Sequence, residues 1–367
     1  MDPDALQNEV DTWVRDGIIT ESQAEEILER YDDSTDGRSR VVIALSVVGS
    51  ALVFVGLTLF FATNWETLPT AAQVAVLLGG PGLAYAGGVA GYRRSLPRIG
   101  LACCLLGAVL AGPSLFLLSD LASLTVADTW LLLAWTVIAL PTGHALGSRA
   151  GVGIGIIILT GLAVSLAEPA TPIPVIAFLG ITLFALGTLQ NERIEWSYRI
   201  GGVTLALAGL LLLTTLDGRY GRFDIGPTPI LVATVLGSLA GAGWLFVDDD
   251  RHSTRWAVTA IVAVGASVTV VLLTPEYLPE VVAFLGSHVS MLVIVAMTGD
   301  FGYRSGSRRF IDLAALAALA QTLSFVASTV IDALSGSLAL VVAGVILLTA
   351  GVVLERGRRT LLARLGG

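Results

Sequence analysis

Two polar side chains able to do chemistry fall inside long apolar runs: His288 and Gln321. An ionisable group at membrane depth is costly, so its presence points to proton or substrate handling. A neutral imidazole can equally serve as a hydrogen-bonding strut between helices. His288 lies eight residues into the run that starts near residue 280, about 12 Å deep at a helical rise of about 1.5 Å per residue. Gln321, midway along the run 310–331, is a plausible partner on the same terms. Asn64 and Glu66 flank Trp65 where the run 41–63 ends. They can bind a polar ligand at an outer mouth. Alternatively, Trp65 anchors at the interface and Asn64 caps exposed helix carbonyls. His144 and Asp312 lie near the ends of runs, where a structural role is expected, and Asp312 suits the positive end of a helix dipole.

Other chemistry finds little material. There is no His-Glu-x-x-His, no Gly-x-Ser-x-Gly and no phosphate loop. Ser287 and Ser290 beside a histidine leave an intramembrane serine hydrolase as a minor reading. The only cysteines, Cys103 and Cys104, are neighbours in an apolar run and read as small packing residues. No metal site and no cofactor is expected, and nothing here suits nucleic acid.

The elements that carry these residues follow from composition. The chain has 367 residues, of which 54% are hydrophobic and only 14% charged. A soluble domain carries about 25% charged residues, so this chain has too little polar surface to cover a soluble globule. It reads as an all-α polytopic transmembrane bundle. A helix needs about 20 apolar residues to cross a bilayer core of about 30 Å. About twelve runs qualify: 41–63, 70–90, 99–119, 128–147, 151–167, 173–190, 199–216, 228–247, 256–274, 280–298, 310–331 and 337–355, with eleven or thirteen as neighbouring counts. The runs are continuously apolar, without the alternation of a barrel strand.

Arginine placement tests the count. With a cytoplasmic N-terminus, seventeen of the nineteen arginines beyond residue 37 fall on the inside, and only Arg219 and Arg222 fall outside. Such asymmetry orients helical membrane proteins, so both termini are expected in the cytoplasm of a multi-pass plasma-membrane protein. All 21 basic residues are arginine. A lysine-free chain with an acid-rich tail suits a high-salt cytoplasm, with GC-rich codon bias as the plainer explanation.

Residues 1–37 hold twelve acids against two arginines and read as a cytoplasmic helical hairpin. Leu6, Val10, Trp13 and Val14 form one apolar stripe, and Ala24, Ile27, Leu28 and Tyr31 form another. Gly17 should end the first helix. Thr20 to Gln23 has the form of a capping box. Two such short helices bury too little to fold alone, so their stripes should meet each other and a further surface: the arginine-rich loops, a second copy or protein partner, or the lipid interface. In the membrane part, Gly79-Gly80-Pro81-Gly82, Gly112-Pro113 and Pro141 are expected to break their helices. Four-residue spacings such as Gly87/Gly91 and Gly151/Gly155 should allow close helix contact.

Three stretches carry a resemblance. They are Trp13…Gly17-Ile18-Ile19-Thr20…Gln23-Ala24, then Ala62-Thr63-Asn64-Trp65-Glu66-Thr67-Leu68-Pro69, then Trp130…Trp135…Pro141. Together, over roughly residues 5–145, they resemble the predicted membrane proteins catalogued as domain of unknown function 2157. The resemblance implies topology and no reaction. Function stands between two classes. One is a non-enzymatic membrane scaffold or sensor that docks a partner or another copy through residues 1–37. The other is a small-molecule or lipid transporter using a cavity among the Gly/Pro-broken helices, with His288 beside it.

Overall fold

A computed structural model describes residues 9–10, 12–32, 52, 63–167, 172–216, 228–273, 277, 279–330 and 337–365. Nearly all of the expected crossing 41–63 lies outside these residues, as do Arg38, Arg40, Arg219 and Arg222. The chain divides into two compact units, Met1–Gln73 and Val74–Gly367.

In the first unit, residues 12–15 are helical and the chain turns at Gly17, whose φ is +70°. The Ile18 N–H reaches the Trp13 carbonyl at 2.9 Å and the Gly17 N–H reaches that of Val14 at 3.1 Å. This is a Schellman closure, which puts Gly17 in the left-handed region where a side chain would be strained. Helix α1 (Glu21–Asp32) starts from Thr20. The Gln23 N–H donates to Thr20 Oγ1 at 3.3 Å, and the Thr20 N–H donates to Gln23 Oε1 at 3.0 Å. The capping box is therefore reciprocal. Val10 and Ala24 are buried, with Trp13, Val14 and Ile19 packed on them. The side chains of Ile27, Leu28 and Tyr31 lie outside the described set.

Losing one arm of a cap costs about 1 kcal/mol. In the full-length protein, Thr20→Ala should therefore speed amide exchange across residues 21–24 roughly fivefold. Glu25→Ala, an exposed acid outside the cap, should leave exchange unchanged. Equal exchange in the two variants would mean that the box does not hold the helix start.

Beyond it the chain runs through eleven more helices among the described residues. They are α2 (Thr70–Arg93), α3 (Pro97–Leu121), α4 (Asp128–Ala145), α5 (Arg149–Ala167), α6 (Pro172–Leu186), α7 (Glu192–Leu216), α8 (Pro229–Val247), α9 (Arg251–Leu273), α10 (Glu280–Arg304), α11 (Arg308–Phe325) and α12 (Ser337–Leu365). No strand occurs among the described residues. Ten of these helices, α6 taken together with the 3-10 turn Gly187–Leu189 that extends it, are long and apolar enough to cross a bilayer. The exception is α4, whose 18 residues start at Asp128 and include His144 in the last turn. The fold is the all-α polytopic bundle that the apolar runs imply.

Helix α6 lies at the centre. Eleven of its 15 residues are buried, as an element apolar on every side must be. Its faces pack into two cores. One is built with α7 to α11 around Phe184, Trp256, Phe301 and Phe310; the other is built with α5 and α7. The approach of α6 to α7 is set by glycine. A Cβ on Gly180 would lie 2.5 Å from the backbone of Gly202 and Ala206, so the two helices meet with no side chain between them. Gly88, Gly91 and Gly100 do the same for α2 and α3, and Gly151 lies against Gly143 of α4.

The expected helix breaks need correction. Helices α2, α3 and α4 continue through Pro81, Pro113 and Pro141. Proline removes one ladder bond, but neighbouring helices and hydroxyls can satisfy the loosened backbone at membrane depth. The Trp135 indole N–H donates at 2.9 Å to the Ala108 carbonyl, next to the Val109 carbonyl that Pro113 leaves without its ladder partner. Gly112 leaves the room that ring occupies. Next to Pro141, the Thr142 hydroxyl donates to the Ile138 carbonyl at 2.7 Å and accepts from the Tyr85 hydroxyl at 3.0 Å.

Candidate functional site

His288 sits on α10 and is 7% exposed. Its Nδ1 lies 2.8 Å from the Phe284 carbonyl, one turn back on the same helix. Since a carbonyl only accepts, Nδ1 carries the proton. The ring centroid lies 4.1 Å from that of Phe284 and 5.7 Å from that of Phe325. The imidazole is thus held among aromatic rings. The Ser287 hydroxyl donates to the same Phe284 carbonyl at 3.2 Å.

Gln321 sits on α11 and is 4% exposed. Gly302 lies against Ile311 and Gly299 against Ala314. This antiparallel register puts Phe325 level with His288, and Gln321 one turn away. The two polar residues therefore lie on adjacent helices. The hydrogen bond from Gln321, however, runs to α7. Its amide oxygen lies 3.3 Å from Thr214 Oγ1, while the Thr214 hydroxyl lies 2.7 Å from the Leu211 carbonyl. Turning the amide lets Nε2 donate to Thr214 Oγ1 while Thr214 donates to Leu211, which pairs the hydroxyl and one amide N–H. Gln321 thus acts as a strut between α11 and α7.

Asn64 and Glu66 belong to a local turn in the first unit. Asn64 Nδ2 donates to Thr63 Oγ1 at 3.1 Å, and the Thr67 hydroxyl donates to the Asn64 carbonyl at 2.8 Å. A short 3-10 turn, Trp65–Thr67, follows, with Glu66 exposed. The buried Gln73 side chain donates to the Trp65 carbonyl at 2.6 Å and pins the turn to the start of α2. The helix carbonyls that Asn64 is expected to cap lie outside the described residues.

His144 and Asp312 have structural partners. His144 Nδ1 lies 2.8 Å from the Leu140 carbonyl, and its Nε2 lies 3.0 Å from the Tyr198 hydroxyl. Asp312 pairs with Arg358 of α12 at 2.6 Å.

One charged cluster is legible only in three dimensions. Arg199, on α7, has a side chain only 16% exposed. Its Nε lies 2.8 Å from Glu195, its Nη2 lies 3.4 Å from Asp250, and its Nη1 lies 3.4 Å from Ser253 Oγ. Its Cζ lies 5.7 Å from the Phe184 ring centre, within cation–π reach. Asp250 lies in the connection before α9. Burial pushes its carboxyl upward, but bonds from the Ser253 hydroxyl and N–H, together with the Arg199 charge, outweigh this and hold it below the usual carboxylate range. In the sequence, Arg199 is one of seventeen arginines on one side. The available signal was its spacing from Glu195, four residues along one helix face.

The comparisons agree with the membrane architecture. Residues 11–151 match the family described as predicted membrane protein (DUF2157). The DUF2157 match runs from the hairpin into the start of α5, so it takes in the capping box, the Asn64–Glu66 turn and the aromatic–glycine contacts of α2 to α4. No curated protein and no solved structure matches the chain.

Proposed function

We propose that this is a non-enzymatic membrane scaffold or sensor, whose N-terminal hairpin docks a protein partner or another copy of the chain. The observation that carries the reading is the hairpin itself. It is closed at Gly17 and capped at Thr20 and Gln23, yet buries only Val10 and Ala24 among its described side chains. Ile18, at the bend, is 67% exposed, with Asp16 and Glu21 exposed nearby. An exposed apolar side chain at a preshaped bend, flanked by two acids, is suited to meeting another surface, because ordering it on binding costs little.

The DUF2157 match takes in the hairpin as well as α2 to α4. With α4 counted as a crossing, the described arginines outside the hairpin fall at alternate connections, at Arg93–Arg98, Arg149, Arg193–Arg199, Arg251–Arg255 and Arg304–Arg309, and beyond the last span. This supports placing both termini in the cytoplasm. The acid-rich, lysine-free character fits a cytoplasm of high salt. Transport at His288 draws less support, because the ring is packed against Phe284 and Phe325. The test is the size of the detergent-extracted complex, by light scattering, together with cross-linked partners in membranes. Deletion of residues 1–37 and the single change Ile18→Asp should both reduce complex size or remove a partner. Unchanged size and partners in both would refute docking.

A further inference from the structure

We propose that a groove on the side of the bundle holds one anionic phospholipid, with its phosphate between Arg149 and Arg309 and one acyl chain in the slot beyond. The groove measures about 490 Å³ and lies between α5 and α7, with Arg309 of α11 at one end, a size typical of ligand pockets. Arg149, Trp196 and Arg309 mark its charged end. Gly153, Thr160 and Leu205 line the apolar part. A second space of about 290 Å³ adjoins that end and shares Arg149, Trp196 and Arg309, adding Ser305, Gly306 and Ser307.

The dimensions fit one leaflet. From Arg149 to Thr160 is eleven residues of α5, about 16 Å at 1.5 Å per residue. Half a hydrocarbon core of about 30 Å is about 15 Å. The slot therefore starts at the membrane surface and ends near the midplane, the depth of one acyl chain. Its hydroxyls make no demand on a ligand. Thr160 donates to the Ile156 carbonyl at 2.8 Å, and Thr204 donates to that of Ile200 at 2.8 Å.

The charges fit a phosphate. Arg309 is exposed and makes no ion pair among the described residues. Arg149 is exposed as well; its Nε donates to the Arg193 carbonyl at 2.9 Å, which leaves its other N–H groups available. Two guanidinium groups facing one polar space favour an anionic headgroup, and Trp196 beside them suits the headgroup level.

The test uses purified full-length protein in detergent with equal amounts of phosphatidylglycerol and phosphatidylcholine of matched chains. Lipid retained per chain is counted by native mass spectrometry. The expected result is one retained phosphatidylglycerol, with phosphatidylcholine at least tenfold weaker. Arg309→Gln should weaken retention about fivefold, and adding Arg149→Gln should weaken it further by a similar factor. Gly153→Phe should abolish retention by filling the slot; a Cβ there meets nothing within 4 Å, so the helix can accept it. Glycerol phosphate, which has the headgroup chemistry without a chain, should not compete. Equal retention of the two lipids would overturn the proposal, as would retention unaffected by Arg309→Gln and Gly153→Phe, or full competition by glycerol phosphate. If the Arg149 variant fails to fold, Arg309→Gln and Gly153→Phe still decide the matter.

Discussion

Gly180→Ala should destabilise the bundle by about 3 kcal/mol, although it adds only one methyl group. The new Cβ would lie 2.5 Å from the Ala206 nitrogen and the Gly202 carbonyl oxygen. These are backbone atoms of α7 and cannot rotate aside. Overpacking a close interface costs about 1–3 kcal/mol, occasionally more, and the central position of α6 gives no direction in which to yield. Helix propensity acts with the opposite sign, since alanine is favoured over glycine by about 1 kcal/mol. A variant that melts lower despite this gain therefore reports the contact. Gly161→Ala is the control: a Cβ there meets nothing within 4 Å, so only the propensity gain remains. Thermal unfolding of the purified protein in one detergent should move the two variants in opposite directions. Parallel shifts would refute the close approach of α6 and α7.

Arg199→Met should have the second largest effect, about 2–3 kcal/mol. It leaves Glu195 and Asp250 without their shared cation, and removing one partner from a buried ion pair costs about 3–5 kcal/mol when burial is complete. The acids here are 27% and 28% exposed, which lowers the figure. Arg199→Lys should recover little, because one ammonium cannot span Glu195, Asp250 and Ser253 as the guanidinium fork does. Acid titration gives an independent readout. The Asp250 carboxyl titrates lower in the folded chain than in the unfolded one. Its contribution is therefore complete above the ordinary value of 3.8 and fades as pH falls through the lower folded value. The gap in unfolding temperature between wild type and Asp250→Asn should be widest near neutral pH and should close below 3.8. A gap that stays constant across that range would mean that the Asp250 charge contributes nothing to folding.

Sequence reading goes far here where the signal is local. Runs of apolar residues must become helices at membrane depth, because each helix satisfies its own backbone. The hairpin is legible for the same reason: the bonds around Gly17, Thr20 and Gln23 join groups three to five residues apart. Proline shows where local reasoning fails. Read along the chain, Pro113 and Pro141 look like breaks. In the fold, Trp135 and Thr142 bond the nearby carbonyls, Tyr85 buttresses Thr142 across helices, and the helices continue.

The candidate site divides in the same way. His288 and Gln321 are visible as polar residues in apolar runs. Their partners, Phe325 for His288 and Thr214 for Gln321, come from other helices and leave no mark in spacing. Arg149 and Arg309 read as two more orienting charges until α5, α7 and α11 bring them to one groove.

What the chain alone determines is its class and its capped tail, because solvation and short-range bonding depend on composition and neighbours within a turn. Which glycine seats which backbone, which arginine is buried, and where a lipid-sized slot opens were decided only by tertiary packing, since each depends on residues tens to more than a hundred positions apart meeting at one depth in the bilayer.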